Sequence, residues 1–156
     1  MLKELLDDRD YRLHTLMHIT INAIVKAEEL ELKQIGLSME EAGALFITEA
    51  IGEQATPAEI ARWMFREHPS VSDLLRRMQK KALVTLTRDL EWKNMIRVRL
   101  TEKGKRAFLF WKNAKMRHQI GEVLSGEEHR QLTSSLQKLR AKALEKLSID
   151  YKPPYP

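Results

Sequence analysis

The stretch from Thr56 to Thr101 constrains the fold of this 156-residue chain more than any other part. Two short segments with apolar residues at helical spacing come first, separated by the break at 67–69. Two segments in which apolar and polar residues alternate follow them. Spacings of three and four residues are typical of amphipathic helices, and a period of two is typical of strands. The order of these patterns predicts a winged helix-turn-helix, with the two strands forming the ribbon called the wing.

The first helix of this stretch has a clear start, because Thr56 can cap it and Pro57 suits the first helical position. Its predicted buried face consists of Ile60, Ala61, Met64 and Phe65. The second helix is predicted from near His68 to Lys81. Its apolar side consists of Val71, Leu74, Leu75 and Met78, and the other side carries Ser70, Ser72, Asp73, Arg76, Arg77 and Lys80. Small polar residues and arginines on one exposed side suit contacts with base edges and phosphates.

The wing is predicted from alternation at 84–88 and 96–101, with a loop from about Asp89 to Met95. One face of this ribbon is apolar and the other is basic, and Lys93 lies near its tip. A basic ribbon beside an exposed helix can add phosphate or minor-groove contacts.

The distribution of charge supports a polyanionic partner. The chain has a net charge of +5, but residues 62–115 contain 15 Lys and Arg against 5 Asp and Glu. That segment therefore carries +10 and the remainder carries −5. A basic segment between acidic flanks is typical of nucleic-acid-binding modules. Solvated helix faces also carry such charges, but the overlap with the helix-turn-helix pattern favours binding.

Long helices are predicted on both sides of this core. One runs from about Leu5 to Ile35 and ends at Gly36, and the capping box Ser38–Glu41 then opens a helix that stops at Gly52. Thr101 opens a helix predicted to continue to about Leu124. The capping box Ser125–Glu128 starts a final helix, whose apolar stripe consists of Leu132, Leu136, Leu139, Ala143, Leu144 and Leu147. These stripes are too long for a small winged domain to cover, so a second chain is expected to cover them.

Other functional classes lack their sequence signals. No apolar run is long enough to span a membrane, and the N-terminus lacks signal-peptide features, so we expect a cytoplasmic protein with no membrane partner. There is no cysteine, nucleophile motif or glycine-rich phosphate loop. His14 and His18 lie four residues apart, a spacing that suits metal ligands, but without a nearby third ligand we interpret them as ordinary helix residues. We therefore expect no enzymatic activity, no catalytic residues, no metal and no cofactor.

Several motifs together resemble the MarR-type winged-helix transcriptional regulators. They are Ala-Glu-Ile-Ala at 58–61, Val-Ser-Asp-Leu-Leu-Arg-Arg-Met at 71–78, Lys-Lys-Ala-Leu-Val at 80–84, and Val-Arg-Leu-Thr-Glu-Lys-Gly at 98–104. The resemblance covers nearly the whole chain, and the Leu-Thr-Glu-Lys-Gly junction is its most specific part. It implies a mainly α fold with a small β-wing in a single domain, 1–156. The winged core would span about 38–101, the dimerisation helices about 5–35 and 102–148, and an extended tail 149–156.

The resemblance also implies a homodimer that binds double-stranded DNA at a pseudo-palindromic operator and represses transcription, often until a small-molecule effector binds. The expected DNA contacts are Pro69, Ser70, Ser72, Asp73, Arg76, Arg77, Lys80, Arg88, Lys93, Arg97 and Arg99. Candidate effector-pocket residues are His14, Met17, His18, Phe46 and Trp111. The alternative is a winged helix that binds protein or RNA, although no aromatic-rich strand for stacking RNA bases is visible.

The chain departs from the family pattern at three places. Ala82 replaces the usual glycine, so the turn into the first strand is expected to manage without an easy positive φ. The wing has Trp92-Lys93-Asn94 in place of Asp-x-Arg, which removes the usual ion pair, and Arg88, Lys93 or Arg97 would have to substitute. Asp73 occupies a position that is frequently polar or basic, and we interpret it as accepting from N–H groups at the helix N-terminus.

Overall fold

The computed structural model describes residues 7–91, 94–150 and 153–155. Its helices are α1 (Arg9–Leu32), α2 (Met39–Ile51), α3 (Pro57–Trp63), α4 (His68–Lys80), α5 (Glu102–Lys112), α6 (Lys115–Gly121) and α7 (Gly126–Lys146). Strands β1 (Val84–Arg88) and β2 (Ile96–Leu100) pair antiparallel, with Val84 opposite Leu100. The predicted fold class, mainly α with a small β-wing, is confirmed. None of the helices among the described residues is long and apolar enough to cross a membrane.

The core lies where α2, α3, α4 and the wing meet. Leu45, Ile60, Leu75 and Met78 are completely buried there, and Val98 of β2 closes the core from the wing. Burial of one such side chain stabilises the fold by about 1.5–3 kcal/mol relative to its exposure. The winged core is therefore held mainly by residues that the helical and strand periodicities identified.

The end of α3 corrects one sequence prediction. Phe65 was expected on the buried face, but its side chain is 58% exposed and Trp63 is buried instead. The helix ends at Trp63, and Phe65 has a φ of 52°. The Arg66 N–H then donates to the Ala61 carbonyl at 3.0 Å. This left-handed turn ends the helical periodicity and turns the Phe65 side chain toward solvent.

Helix α1 begins at Arg9, where the Asp8 carboxylate accepts from the N–H groups of Asp10 and Tyr11. The predicted start at Leu5 lies outside the described residues. At the other end, Gly36 has a φ of 64° and terminates the helical segment after a short 3-10 turn at Lys33–Ile35. The prediction of a glycine stop is confirmed.

The prediction of one continuous helix from Thr101 to Leu124 is wrong. α5 ends at Lys112, Ala114 is extended, and α6 starts at Lys115. The Glu31 carboxylate accepts from the N–H groups of Lys115 at 3.1 Å and Met116 at 2.9 Å. A carboxylate from α1 thus caps α6, which offsets the cost of ending α5 early.

The outer faces of α1 and α7 remain apolar and exposed in the single chain. Leu13 and Met17 of α1 are 46% and 37% exposed, and Leu132 and Leu136 of α7 are 48% and 43% exposed. Among the residues of α7, only Leu144 is buried. These stripes are the ones for which the sequence predicted a partner chain.

Candidate nucleic-acid interface

Helix α4 is anchored by one side and presents the other to solvent. Val71, Leu74, Leu75 and Met78 are each at most 4% exposed, which fixes the rotation of the helix about its axis. The opposite side exposes polar and basic residues, namely Pro69, Ser70, Asp73, Arg76, Arg77 and Lys80. Ser72 is half-buried, and its Oγ lies 3.5 Å from His68 Nδ1.

Asp73 does not have the helix-terminal role that the sequence suggested. Its carboxylate accepts from the Arg76 guanidinium at 2.7 Å, one helical turn further along, and both side chains are more than 60% exposed. An exposed pair at this spacing contributes a few tenths of a kcal/mol. The pair orients Arg76 along the helix surface and can exchange for another acceptor at little cost.

The C-terminal end of α4 is held by backbone and side-chain contacts. The N–H groups of Ala82 and Leu83 donate to the carbonyls of Gln79 and Met78, both at 2.9 Å. This is a Schellman motif with alanine at the left-handed position. The Lys81 ammonium also reaches the buried carboxylate of Glu41 at 2.8 Å, which links the end of α4 to the start of α2.

Ala82 adopts the conformation that the sequence analysis expected it to avoid. Its φ is 56°, within the left-handed region. The tertiary structure around it imposes this conformation, because the capping bonds of α4 and the start of β1 both depend on it. The turn therefore keeps the shape that glycine would give and retains a local strain.

The start of α5 is joined to the same turn. The Thr101 hydroxyl donates to the Ala82 carbonyl at 2.6 Å and accepts from the Gly104 N–H at 3.0 Å. The Lys103 ammonium donates to the Lys81 carbonyl at 2.8 Å. A Cβ on Gly104 would lie 2.0 Å from the Leu83 carbonyl oxygen, so only glycine fits there. These contacts give a physical role to Thr101, Lys103 and Gly104 of the Leu-Thr-Glu-Lys-Gly sequence.

The wing contains an internal ion pair, and it is made by Arg97, one of the three residues named as possible substitutes for the usual wing arginine. Arg97 Nε donates to Asp89 Oδ2 at 2.6 Å, and the two side chains are only 15% and 14% exposed. Arg97 also donates to the Gln54 carbonyl at 2.8 Å. Arg97 therefore stabilises the wing where β1 ends and the connecting loop begins, and little of its guanidinium is left for a phosphate.

The other basic wing residues are more accessible. Arg88 is exposed at the end of β1. Arg99 is exposed on β2, where its guanidinium contacts Glu53 at 2.5 Å. Lys93, predicted at the wing tip, lies outside the described residues. Arg88 and Arg99 thus join the exposed residues of α4 as described basic groups that can meet a polyanion.

The candidate effector residues fall into two groups. His14, Met17 and His18 line an open apolar groove of about 660 Å³ between α1 and α7, together with Leu132 and Leu136. Phe46 and Trp111 instead pack edge-on against each other, with ring centroids 6.0 Å apart. Phe46 and Trp111 are not among the residues that line this groove.

His14 and His18 stack on each other, with ring centroids 6.4 Å apart. Among the described residues, no group of three or more His, Cys, Asp or Glu side chains could hold a metal ion.

A buried charge on α1 was missed by the sequence analysis. Glu28 is 6% exposed and accepts from Arg117 Nε at 2.9 Å, Arg117 Nη2 at 3.0 Å and Trp111 Nε1 at 3.2 Å. The Arg117 guanidinium also lies 4.5 Å from the Trp111 ring centroid. The partners are 83 and 89 residues distant in sequence. The local signal for this network was a glutamate, Glu28, one helical turn after Ile24 of the apolar stripe on α1.

Comparisons with known proteins agree with this geometry. The family model described as MarR family matches residues 35–92, and no curated protein matches. An organohalide-sensing transcriptional regulator, solved in a 2,4-dichlorophenol-bound form, is 31% identical with a TM-score of 0.75, covering 88% of this chain and 82% of that one.

Two further solved structures are less similar in sequence. A MarR family protein from Bacillus stearothermophilus is 24% identical with a TM-score of 0.71, and 85% of this chain and 93% of that chain are covered. A MarR mutant from E. coli, complexed with operator DNA, is 17% identical with a TM-score of 0.73 over 82% of this chain and 93% of that one. At these identities the likeness shows the fold alone. The family model and the 31% identical regulator go further, and the chain belongs to the MarR family of winged-helix transcriptional regulators.

Proposed function

We propose that this chain acts as a homodimeric repressor that binds a pseudo-palindromic operator in double-stranded DNA and is released by a small-molecule effector. The observation that carries the proposal is the orientation of α4. Its apolar side is locked into the core, and its solvent side presents serines near the N-terminus and arginines further along. This is the arrangement by which a recognition helix enters a major groove.

Within α4, Ser70, Ser72 and Arg76 are the proposed base-reading or register-setting residues. Arg76 must exchange the Asp73 carboxylate for guanine O6 and N7 or for a phosphate oxygen. Because the Arg76–Asp73 pair is exposed, that exchange costs little, whereas a bidentate contact with guanine discriminates by about 1–3 kcal/mol. Arg77 and Lys80 are placed for phosphate contacts.

The wing is proposed to contact the adjacent backbone through Arg88, Lys93 and Arg99. Arg97 has a supporting role in this scheme, because its ion pair with Asp89 fixes the ribbon against the segment at Gln54. Arg99 would exchange the exposed Glu53 carboxylate for a phosphate oxygen. Each phosphate neutralised in this way releases counterions and steepens the salt dependence of binding.

The exposed faces of α1 and α7 support the homodimer. Their leucines and isoleucines form long apolar stripes that the rest of the described chain does not cover. A two-fold axis through these stripes would present two copies of α4. On DNA they would lie about one helical turn, roughly 34–36 Å, apart.

The similar proteins support the two ligands of the proposal, namely operator DNA and a small-molecule effector. The 31% identical regulator was solved bound to 2,4-dichlorophenol, and a structurally similar MarR mutant was solved with operator DNA. We extend the first ligand to this chain as a class and propose a phenol as its effector.

The test is selection of bound duplexes from a random DNA pool, followed by titration of the best duplex against salt. We expect an inverted repeat and a steep fall of affinity with salt. In the same titration, Arg76→Ala should weaken binding of the selected duplex. Arg130→Ala is its matched control, because Arg130 forms an equivalent exposed pair with Glu127 on α7. Absence of binding at low salt would refute the proposal and favour a protein- or RNA-binding winged helix.

A further inference from the structure

The C-terminal tail packs a partly buried aromatic side chain, Tyr155, against the core. The Tyr155 ring lies 5.4 Å from the Phe46 ring of α2 and 5.9 Å from the Trp63 ring of α3, measured between centroids. The guanidinium of Arg140 on α7 lies 5.8 Å from the same ring. A phenol side chain is thus surrounded by two aromatic rings and one cation, each from a different helix.

The surrounding groups would exist without the tail. Phe46 packs edge-on against Trp111, and Trp63 is 7% exposed in the core beside Tyr155. Tyr155 contributes its ring to the space between these groups of α2, α3 and α7. Burial raises the pKa of Tyr155 and the charge of Arg140 opposes that shift. The site therefore favours a neutral tyrosine, while its cation suits an anion.

We propose that Phe46, Trp63 and Arg140 form a phenol-binding site, and that Tyr155 occupies this site as an intramolecular competitor of the effector. The proposal rests on the effector-responsive function proposed above and names the site and its occupant. Two aromatic walls suit any flat ring, because edge-to-face and tilted contacts with a ring are favourable. Arg140 adds selectivity, because its guanidinium attracts a phenolate more strongly than a neutral ring.

This chemistry predicts which phenols displace the tail. Electron-withdrawing substituents such as chlorine acidify a phenol, so 2,4-dichlorophenol is ionised near neutral pH to a far greater extent than tyrosine. It also presents a larger apolar surface than the Tyr155 ring. A free chlorophenolate would therefore gain a charge–charge attraction to Arg140, whereas the neutral tyrosine has only the contact of its ring with the guanidinium.

The site also lies where its occupant can be sensed. Trp63 is the last residue of α3, and the α3 segment leads directly into α4. Trp111 connects Phe46 to the buried Glu28 carboxylate of α1. Exchange of the tail for a free ligand would thus change the packing between the winged core and the outer helices.

The experiment is a titration of the full-length protein with 2,4-dichlorophenol in the absence of DNA. Binding is monitored by tryptophan fluorescence. If the tail fills the site about nine-tenths of the time, Tyr155→Ala should bind the phenol about tenfold more tightly than the wild type. Tyr155→Phe keeps a competing ring and should stay within about twofold of the wild type. Tyr11→Ala, a tyrosine substitution on α1, is the control and should change nothing.

A second substitution locates the ligand. Phe46→Leu combined with Tyr155→Ala should lose most of the gained affinity, because one aromatic wall is removed. An affinity of Tyr155→Ala equal to that of the wild type would overturn the proposal. Persistence of the gain in the double variant would also overturn it, since the phenol would then bind elsewhere.

Arg140→Gln gives an independent measurement with the tail intact. Wild-type affinity should rise as the pH passes through the pKa of the free phenol, and this rise should vanish in the variant. An unchanged rise would overturn the role of Arg140. Because no DNA is present, failure of these tests is distinct from failure of the operator-binding proposal.

Discussion

Replacing Ala82 by glycine should stabilise the protein. A left-handed conformation costs a residue with a Cβ about 1–2 kcal/mol, and Ala82 has a φ of 56°. Glycine removes that cost, but it also increases the conformational entropy of the unfolded chain, which destabilises the folded state by about 0.4–1 kcal/mol. Ala82 is exposed, so loss of its methyl group sacrifices little burial. The net expectation is a gain of about 0.5–1 kcal/mol in the free energy of unfolding.

The assay is urea unfolding monitored by circular dichroism. The protein concentration is kept fixed, because the stability of a dimer depends on concentration. A gain of this size should raise the melting temperature by about 1–4 °C in a chain of this length. Ala141→Gly is the matched control, since Ala141 is exposed within α7. It should lose about 0.5–1 kcal/mol.

A loss of stability in Ala82→Gly similar to that of the control would refute the reasoning. It would mean that the left-handed conformation of Ala82 carries no strain that glycine can relieve. An unchanged stability with a changed urea dependence would instead indicate an altered unfolded state.

Three further substitutions test the interface and the buried network. Arg76→Ala should cost about 1–3 kcal/mol on the selected operator, and an equal loss on random duplex would make Arg76 a backbone contact. Lys93→Ala should reduce the slope of log affinity against log salt by roughly one unit; an unchanged slope would remove the wing tip from the interface. Glu28→Gln should lower the free energy of unfolding by about 1–3 kcal/mol, because Arg117 loses its carboxylate partner. Glu29→Gln, which breaks the more exposed pair with Lys26, should cost less than about 1 kcal/mol, and equal losses would contradict a special role for Glu28.

The sequence predicted the elements whose ends depend on nearby residues. The capping boxes at Ser38 and Ser125 are both present, and Thr56 and Thr101 cap their helices through the N–H three residues ahead. A cap and its partner lie within one helical turn, so a single sequence contains the whole interaction. The apolar face of α4 was predictable for the same reason.

Features that depend on distant residues could not be predicted in this way. The break between α5 and α6 is stabilised by Glu31, whose partners lie 84 and 85 residues along the chain. The pair of Asp89 and Arg97 forms only because the wing reverses direction between them. Asp89 directly follows β1, and Arg97 lies on β2. The register of the two strands, considered in addition to the usual Asp-x-Arg spacing, would have suggested this ion pair.

At Ala82 the local preference of the residue predicted the wrong backbone conformation. Local preference argued against a positive φ, yet hydrogen bonds from α4 and α5 both act on this turn. Tertiary contacts of this kind override the intrinsic preference of one residue when the alternative would leave several polar groups without partners.

The junction between α4 and α5 has a mechanical consequence. Carbonyls of Lys81, Ala82 and Leu83 are all engaged by the first turn of α5 or its cap, and Gly104 leaves no gap between the two. We therefore expect α4 and α5 to move together, because the turn between them is hydrogen-bonded to the start of α5. Since α5 carries Trp111 near its far end, a small tilt produced there would also rotate α4, the proposed recognition helix. In the proposed dimer, such a tilt would change the separation of the two copies of α4 and hence their match to the proposed operator.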